Sequence, residues 1–549
     1  MRYDVVVVGG GSAGAPLAAR LSEDPERSVL LLEAGPVPAT DAAFTAEVRD
    51  GATVRASVPG HPLNWSFQGN LTPELPYTIA RGRVLGGSSA INGGYFVRAR
   101  PEDFDDWAAR VGPEWSYERV LPSLRTLERD LDYGDTDIHG GAGPMPVARA
   151  AQRNRAARAF HRAALELGFP EEADKNAPGP PGVGPVPLNV VAGIRRNTGM
   201  QYVNPVRHRE NLEVRGETHV LRVLFDGDQA TGVRATGVEV ETAGETEIVE
   251  AGEVVLAAGA VASPHLLLLS GIGPADELAE HGVPVVADLP GVGRGFTDHP
   301  DVAVGWRSRR NIVGRRPESF VTALNYASPG GPARGDLEIL LSVRPLSMLL
   351  TGSRSMTSGG LRAGLRHPVG VLRALHGVSL RRLARQAAHA RDLMLLVALQ
   401  VEESRGTISL HSADPHEYPR IDYRYLSDPT DRERMRHGVR TAVSLLRSRA
   451  FAGLFDGLTE LDDATLDDDA ALDTWMLAHL GTAIHLCGSA RMGPDDDDAA
   501  VVDQYGRVRG VTGLRVADTS ILPVAPSRGP AATAVLIGEL VAGFMRRGV

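Results

Sequence analysis

Three features are scarce in this chain of 549 residues. It contains one cysteine, Cys487, so no intramolecular disulfide can form, which fits a reducing compartment. It contains one lysine, Lys175, so nearly all positive charge is carried by arginine, which we interpret as a compositional bias. Long apolar runs are the third scarce feature, and a membrane-spanning helix needs one of about 20 residues. The nearest candidate, residues 531–545, is shorter and contains Glu539.

The charge and composition narrow the class of protein. A formal net charge of -10 argues against general affinity for nucleic acid. With 43% hydrophobic and 23% charged residues, the composition is that of an ordinary globular protein. The length exceeds that of one ordinary domain. Because no signal peptide is recognised before the first predicted strand, we expect a cytoplasmic protein of more than one domain.

A glycine-rich turn near the beginning of the sequence predicts a dinucleotide-binding site. Gly9, Gly11 and Gly14 have the spacing G-x-G-x-x-G. An apolar, β-branched run, residues 3–8, precedes them and predicts a buried strand. A predicted helix and a second predicted strand follow, and the second strand ends at Glu33. The whole segment therefore has the order strand, turn, helix, strand of a βαβ unit.

Each residue of this unit has a physical role in such a site. Gly9 permits the tight turn, Gly11 lets the backbone approach a pyrophosphate, and Gly14 lets helix and strand pack closely. The N-terminus of the helix presents free N–H groups and the positive end of its dipole to the phosphates. Glu33, 19 residues after Gly14, would accept hydrogen bonds from ribose hydroxyls.

The same turn satisfies a second pattern, G-x-S-x-G, with Ser12 at its centre. This pattern is typical of the nucleophile elbow of α/β-hydrolases, which also lies between a strand and a helix. An elbow normally follows several strands that build the oxyanion hole, whereas the turn here follows the first predicted strand. The dinucleotide site is therefore the favoured interpretation.

A second glycine-rich segment, residues 81–96, contains Ser88, Ser89 and Asn92 as hydrogen-bond donors and ends in two aromatic residues. Glycines at this density indicate backbone held close to a bulky group; a flexible surface loop is the alternative. The segment resembles the first signature of the glucose-methanol-choline (GMC) flavin oxidoreductases. Further segments resemble the same family, in the family's order: residues 259–273, 289–293, 298–299, 485–493 and 513–518.

The resemblance implies an α/β fold in which a Rossmann-like FAD-binding domain is assembled from discontinuous segments. An α+β substrate-binding domain of sheet and helices accompanies it. We expect the FAD-binding domain to take most of residues 1–299 and the substrate-binding domain to take 300–480. Residues 481–549 would return to the FAD-binding domain and carry the catalytic histidine. No metal site is expected.

The resemblance also implies which residues contact FAD. Besides the four residues of the βαβ unit, they are Ser12, Ala13, Ala34, Arg83, Val84, Gly87, Ser88, Asn92, Gly93, Val220, Ala258, Asp518, Ala531 and Thr533. Ile91 stands where certain members of the family link FAD covalently through a histidine. Since isoleucine cannot form that link, we expect noncovalent FAD.

His485 matches the position of the family's catalytic histidine. Oxidation of an alcohol by a flavin requires a base for the hydroxyl proton, and the ordinary pKa of histidine suits that task. Many members have a second catalytic His or Asn about 40 residues later, where this chain has Pro530. Arg528, nearby, is predicted either to contact an anionic substrate or the flavin, or to cap a turn. His139 and His299 are interpreted as turn or packing residues.

Residues 339–391 contain nine arginines and no acidic residue, interleaved with leucine and valine. A basic amphipathic stretch of this kind can contact an anionic membrane surface or an acidic redox partner. The alternative is an insertion over the mouth of the active site.

The sequence therefore predicts an FAD-dependent enzyme that oxidises a small alcohol, or a reduced redox carrier, by hydride transfer. The C-terminal string 527–539 resembles the mycofactocin-associated branch of the family, which implies reduced mycofactocin, a peptide-derived redox carrier, as the electron donor and a respiratory chain as the destination of the electrons. Because Pro530 replaces the second His or Asn, we expect oxygen to be a poor acceptor and a quinone-like or dye-like carrier to be a good one. Three alternatives remain open: an alcohol or choline oxidase that uses oxygen, a flavin-dependent hydroxynitrile lyase, and a non-catalytic flavin-binding component of a redox assembly.

Overall fold

A computed structural model describes residues 2–227, 232–310, 312, 320–345 and 392–549. Most of the Arg-rich stretch, residues 346–391, lies outside the described residues. Its first part, 339–345, includes the end of the strand Leu337–Ser342 and the buried Arg344. Within the described ranges, no helix combines the length and the apolar character needed to cross a bilayer.

An eight-stranded sheet is built around the predicted βαβ unit. Arg2–Val8 pairs in parallel with Val29–Leu32 on one side and with Glu245–Leu256 on the other. The strand, helix and strand predicted at the start of the chain are confirmed in this order. The remaining strands of the sheet are Leu212–Arg215, Thr218–Asp226, Val233–Thr242, Val511–Thr512 and Leu514–Val516.

A seven-stranded sheet forms the second layer of the molecule. Its strands are Val183–Pro185, Pro300–Ser308, Phe320–Tyr326, Leu337–Ser342, Leu393–Leu399, Phe455–Leu458 and Leu480–Thr482. The helix Pro429–Arg447 packs on this sheet, where Gly438 lies against Val397 and Leu337. One face of the sheet is therefore covered by helix, and the other is free to line a cavity.

Smaller sheets join the two layers. A five-stranded sheet contains Phe67–Thr72, Leu75–Ile79, Arg294–Phe296, Gly406–Ser409 and Arg420–Asp422. The others pair Glu128–Asp130, Met145–Arg149 and Pro187–Leu188; Val190–Val191 with Ile194–Arg195; and Ile272–Gly273 with Ala287–Asp288.

The longer helices are Gly14–Leu21, Pro101–Val111, Tyr117–Leu127, Arg155–Glu166, Gly259–Leu269, Asp469–His479 and Ala531–Arg547, in addition to Pro429–Arg447. Short helices are Ala46–Arg49, Asn204–Val206, Ala275–Glu280 and Asp463–Asp467.

Segments far apart in the chain close the eight-stranded sheet. Leu514–Val516 pairs in parallel with Glu245–Leu256. The helix Ala531–Arg547 packs on Gly14–Leu21 at Gly538, where an added Cβ would lie 2.2 Å from the carbonyl oxygen of Ala13. Arg20 and Glu539 pair across the same contact at 2.8 Å. Part of the C-terminal segment, Leu514–Val516, thus belongs to the first sheet. The domain boundaries at 299 and 480 remain predictions, and Val183–Pro185 shows that part of 1–299 belongs to the second sheet.

Candidate active site

A cavity of about 730 Å³ lies between the two large sheets. One wall is formed at the carboxyl ends of Arg2–Val8, Val29–Leu32 and Glu245–Leu256, which is where open α/β sheets bind ligands. The opposite wall comes from the uncovered face of the seven-stranded sheet. The cavity therefore has one wall suited to a nucleotide, at the edge of the eight-stranded sheet, and an opposite wall made of side chains from the seven-stranded sheet.

The glycine turn fits a close approach of phosphate to backbone. Gly9 has φ +104°, and an added Cβ would lie 2.6 Å from the oxygen of Ala257, so only glycine suits that position. At Gly14 an added Cβ would lie 1.9 Å from the oxygen of Gly9, which is the close packing expected of that residue. At Gly11 the nearest protein atoms would be 3.9 Å away. The space above Gly11 is therefore open to the cavity, as a bound pyrophosphate requires.

Glu33 is buried and oriented by backbone donors. Its Oε2 accepts from the N–H of Gly10 at 3.0 Å, and its Oε1 accepts from the N–H of Gly35 at 2.9 Å. Burial raises the pKa of Glu33 above its ordinary value, although both N–H groups and Arg83 act in the opposite direction. Each carboxylate oxygen retains acceptor capacity, and the side chain lines the cavity, where ribose hydroxyls would lie.

The second glycine-rich segment closes over the first. The N–H of Gly86 donates to the oxygen of Gly10 at 2.7 Å, and an added Cβ at Gly87 would lie 2.7 Å from the Cα of Gly11. Asp518 supports the wall from behind, because its Oδ2 accepts from the N–H of Gly259 at the start of a helix. The segment at 81–96 is therefore a packed wall and not a flexible surface loop.

Most of the residues predicted to contact the cofactor line this cavity. They are Gly9, Gly11, Ser12, Ala13, Glu33, Ala34, Arg83, Gly87, Ser88, Asn92, Gly93, Val220, Ala258, Asp518 and Ala531. Gly14, Val84 and Thr533 do not line it; all three are buried behind the wall. Since the donors, the open space above Gly11 and the acid at Glu33 surround one cavity, the residues fit an FAD molecule.

His485 also lines the cavity, and the backbone before it is strained. Ile484 has φ +63°, a left-handed conformation that is unusual for a β-branched residue and costs about 1–3 kcal/mol. Two contacts hold it there. Arg81 Nη1 donates to the carbonyl of Ile484 at 2.9 Å, and the N–H of His485 donates to Asp298 Oδ1 at 2.7 Å. The strained turn therefore fixes the direction of the His485 side chain.

His299 is the partner of His485. Their Nδ1 atoms lie 2.9 Å apart and their rings are nearly perpendicular, although the residues are 186 positions apart in sequence. The interpretation of His299 as a turn or packing residue is therefore wrong. The motif Asp298–His299 offered a signal, because both residues belong to a family-like segment, but spacing alone did not connect that segment to His485.

The pair links the tautomers of the two rings. Only one of the two facing Nδ1 atoms can carry the proton between them. The Nε2 of His299 makes no hydrogen bond of good geometry with the described residues. In the tautomer in which His485 donates through Nδ1 and His299 accepts, the Nε2 of His485 is free to accept a proton.

The electrostatics keep both rings neutral. Burial, the neighbouring His299 and Arg81 lower the pKa of His485 well below its ordinary value. Burial lowers the pKa of His299 to about 4. Burial also raises the pKa of Asp298 to about 6, although Arg81 and the hydrogen bonds from the backbone N–H groups of His485 and His299 act to lower it. At neutral pH the His485 imidazole is therefore unprotonated and able to accept a proton.

The segment 528–530 packs on the other side of His485. An added Cβ at Gly529 would lie 3.4 Å from the Nε2 of His485, and Pro530 lines the cavity beside it. Arg528 does not line the cavity; it is fully buried and its Nη2 donates to Glu172 Oε1 at 2.9 Å. The structure therefore gives Arg528 a buried ion-pair partner in place of either predicted role.

Comparison with known proteins agrees with this architecture. Two family models described as GMC oxidoreductase match residues 3–301 and 402–538. The chain is 40% identical over 548 residues to an uncharacterized GMC-type oxidoreductase of Rhodococcus erythropolis encoded in the thcA 5' region, covering 99% of this chain and 98% of that protein.

The relatives include proteins named for an activity. A 5-(hydroxymethyl)furfural oxidase of Methylovorus sp. (strain MP688) is 35% identical, with 98% of each chain covered. The crystal structure of a pyridoxine 4-oxidase from Mesorbium loti superposes with a TM-score of 0.84 at 28% identity, with 99% of each chain covered. These matches extend over the whole chain and therefore include both walls of the cavity.

Proposed function

Since this chain belongs to the GMC oxidoreductase family of FAD-binding flavoenzymes, we propose that it oxidises an alcohol to a carbonyl compound with His485 as the general base. The observation that supports this proposal most directly is the neutral His485–His299 pair, since His485 lines the same cavity as the predicted cofactor residues. The family relationship and the sequence resemblance to alcohol-oxidising members point to the same reaction class.

The protein contributes three things to this reaction. His485 accepts the hydroxyl proton through Nε2. The strained turn at Ile484 and the contact with His299 at Nδ1 orient the His485 ring. His299 and Asp298 are buried beside His485, and their removal from water strengthens the electrostatic interactions among these groups. FAD, when bound, supplies the acceptor for the hydride that leaves the carbon.

We propose a quinone-like or dye-like carrier as the electron acceptor. Pro530, which has no side-chain donor or acceptor, occupies the region beside His485 where many family members carry a second His or Asn. Reduced mycofactocin, as an electron donor, belongs to the same proposal. Oxygen is the second candidate acceptor, because two relatives of the chain bear the name oxidase.

The proposed contact with an anionic membrane surface or acidic redox partner through 339–391 stays a prediction from the sequence. Its arginines lie mostly outside the described residues, so the structure adds only that Arg344 is buried. A cytoplasmic location is part of the same proposal.

The experiment is an anaerobic screen of primary and secondary alcohols and of a cyanohydrin with the holoenzyme. Reduction of the flavin absorption by an alcohol supports the proposal. Cleavage of the cyanohydrin without flavin reduction would support a lyase, and no reaction with any of them would contradict catalysis of this kind. Reoxidation of the reduced enzyme by a quinone and by air then separates the two acceptors. Acid precipitation should leave FAD in the supernatant; flavin retained in the pellet would contradict noncovalent binding.

A further inference from the structure

The only lysine of the chain lies in a buried polar network. Lys175 Nζ donates to Glu172 Oε2 at 2.7 Å, to the carbonyl of Gly182 at 3.0 Å and to Asn325 Oδ1 at 2.9 Å. The side chain is 0% exposed, and its three N–H donors have three acceptors. A planar guanidinium cannot direct donors to three such positions around one atom. This geometry explains a lysine here in a chain that otherwise uses arginine.

Lys175 determines the orientation of the Asn325 amide. An ammonium group donates only, so Asn325 must present its oxygen to Lys175. Its NH₂ group then faces the other way and donates to Glu338 Oε2 at 2.9 Å. The hydroxyl of Tyr95 donates to the same oxygen at 3.2 Å. Glu338 is therefore held through one carboxylate oxygen by two donors.

The second oxygen of Glu338 is available to a ligand. Among the described residues, no hydrogen bond or ion pair is made by Glu338 Oε1. Both Glu338 and Tyr95 line the cavity that contains His485. Lys175 lies behind this wall and does not line it. A buried network thus ends in one free carboxylate oxygen at the substrate side of the cavity.

The surrounding sheet leaves room beside this oxygen. In the strand register, Glu338 lies opposite Ala398, and Ala398 lies opposite Asp301. The two acidic residues are therefore two strand spacings apart, roughly 10 Å, with only a methyl side chain between them. All three residues line the cavity. The small side chain at 398 makes a recess whose flanks are acidic.

The next row of the same wall is apolar. Leu340 lies opposite Leu396 in the register, and both line the cavity together with Met394 and Phe320. This part of the wall suits an apolar body and the acidic recess suits a hydrogen-bond donor. An anionic group would be repelled by the two carboxylates.

We propose that Glu338 is a specificity-determining residue whose Oε1 accepts a hydrogen bond from a hydroxyl or ammonium group of the substrate, distant from the alcohol that is oxidised. Lys175 is a positioning residue that acts through Asn325. The preferred substrate is therefore an alcohol with an apolar body and a second donor group. This inference rests on the proposed alcohol oxidation and adds the substrate class.

The test uses four para-substituted probes with the holoenzyme. They are benzyl alcohol, 1,4-benzenedimethanol, 4-(aminomethyl)benzyl alcohol and 4-(hydroxymethyl)benzoate. We expect wild-type kcat/KM to be highest for the two probes with a second donor and lowest for the carboxylate. Glu338→Gln should lower the ratio of kcat/KM for the diol to kcat/KM for benzyl alcohol about tenfold. The corresponding ratio for the ammonium compound should fall further, because a hydrogen bond from a charged group is the stronger one. The two donor-bearing probes separate a hydroxyl from an ammonium preference.

Lys175→Met tests the positioning role. We expect it to change the same substrate ratio in the same direction, mainly through KM, because the Asn325 amide is no longer oriented. Asp336→Asn is a matched control: Asp336 is a buried carboxylate two residues before Glu338 and accepts from Ser328 Oγ at 2.6 Å, but it does not line the cavity. This control should lower Tm without changing the ratio. If Lys175→Met fails to fold, Glu338→Gln still decides the specificity role.

Two results would overturn the proposal. One is a wild-type enzyme that treats benzyl alcohol and the donor-bearing probes alike; the other is a Glu338→Gln variant with an unchanged ratio. If no probe reduces the flavin, the proposed alcohol oxidation fails separately. In that case, the binding of benzylamine and of benzoate is measured through the change that each causes in the flavin absorption spectrum. Tighter binding of benzylamine, lost about tenfold in Glu338→Gln, still supports the acceptor role of Glu338, and equal binding overturns it.

Discussion

Two buried histidine sites in this molecule carry opposite protonation states. His485 faces His299 across 2.9 Å at the cavity. His139 lies in a separate cluster, where its Nδ1 is 2.8 Å from Glu128 and its Nε2 is 2.7 Å from Asp174. All three histidines are buried or largely buried, so burial alone cannot explain the difference.

The neighbours explain it. Burial lowers the pKa of His139, but hydrogen bonds to Asp174 and Glu128 outweigh it and raise the pKa to about 9. His485 has no carboxylate on its ring; burial, His299 and Arg81 all lower its pKa. The histidine between carboxylates is therefore a cation at neutral pH, whereas the histidine beside another histidine is a neutral group that can accept a proton.

The cluster at His139 also shows why ligand type alone does not define a metal site. Ligand atoms of Glu128, Asp130 and His139 lie within 4.8 Å of one another. Arg98 already pairs with Glu128 at 2.9 Å, and Arg149 pairs with both Asp130 and Asp174. The positive charges that the carboxylates require are thus present in the chain, and the cluster is a balanced ionic network.

Replacing His485 should have the largest effect on activity. We expect His485→Ala to retain FAD and to slow flavin reduction by an alcohol by about 10²–10⁴-fold, the range for a positioned acid–base group. Stopped-flow reduction measures this rate. His139→Gln is the matched control, because that histidine is outside the cavity, and its reduction rate should match the wild type. An equal rate in His485→Ala would remove the base assignment.

Replacing His299 should have a smaller and different effect. In His299→Leu the proton of His485 is free to move to Nε2, which then cannot accept, so we expect kcat to fall roughly tenfold, about 1.4 kcal/mol. The low-pH limb of the pH profile of kcat should also move to higher pH, because His299 lowers the pKa of His485 and is absent from this variant. A variant with the wild-type pH profile and kcat would show that His299 only fills space.

The His139 cluster should be visible in stability and not in catalysis. The pKa of His139 in the folded protein, about 9, is above its unfolded value near 6.5. The stability that this group contributes is therefore fully present below about pH 6.5 and is lost as the pH rises through about 9. Thermal unfolding between pH 6 and pH 10 measures it. The Tm of the wild type should fall across this window more than that of His139→Gln; parallel curves would contradict the raised pKa.

The cofactor wall was more predictable from sequence than the substrate wall, for a physical reason. A dinucleotide site is made largely by backbone, so its glycine spacing, the strand before it and the acid after it are local in the sequence. His485 was predicted because its motif is also local. Its partner His299 was not, because the contact between them joins segments 186 residues apart.

Lys175 and Glu338 show the same limit. The single lysine looked like a by-product of composition, since no local pattern connects it to Asn325, 150 residues away. Glu338 lies within a strand whose other residues, apart from Ser342, are apolar, and only the pairing register places it opposite Ala398. Specificity residues of this kind depend on tertiary structure, which no spacing in the chain encodes directly.

The contact between Arg20 and Glu539, 519 positions apart, has a consequence for biosynthesis. At roughly 5–20 residues per second, translation of the intervening chain takes tens of seconds. During that time the glycine turn lacks the helix that packs against it. Non-local contacts of this kind also form slowly once the chain is complete. FAD that binds only the closed form pulls the equilibrium toward it by mass action. We therefore expect added flavin to raise the fraction of folded protein once the helix Ala531–Arg547 has been synthesised.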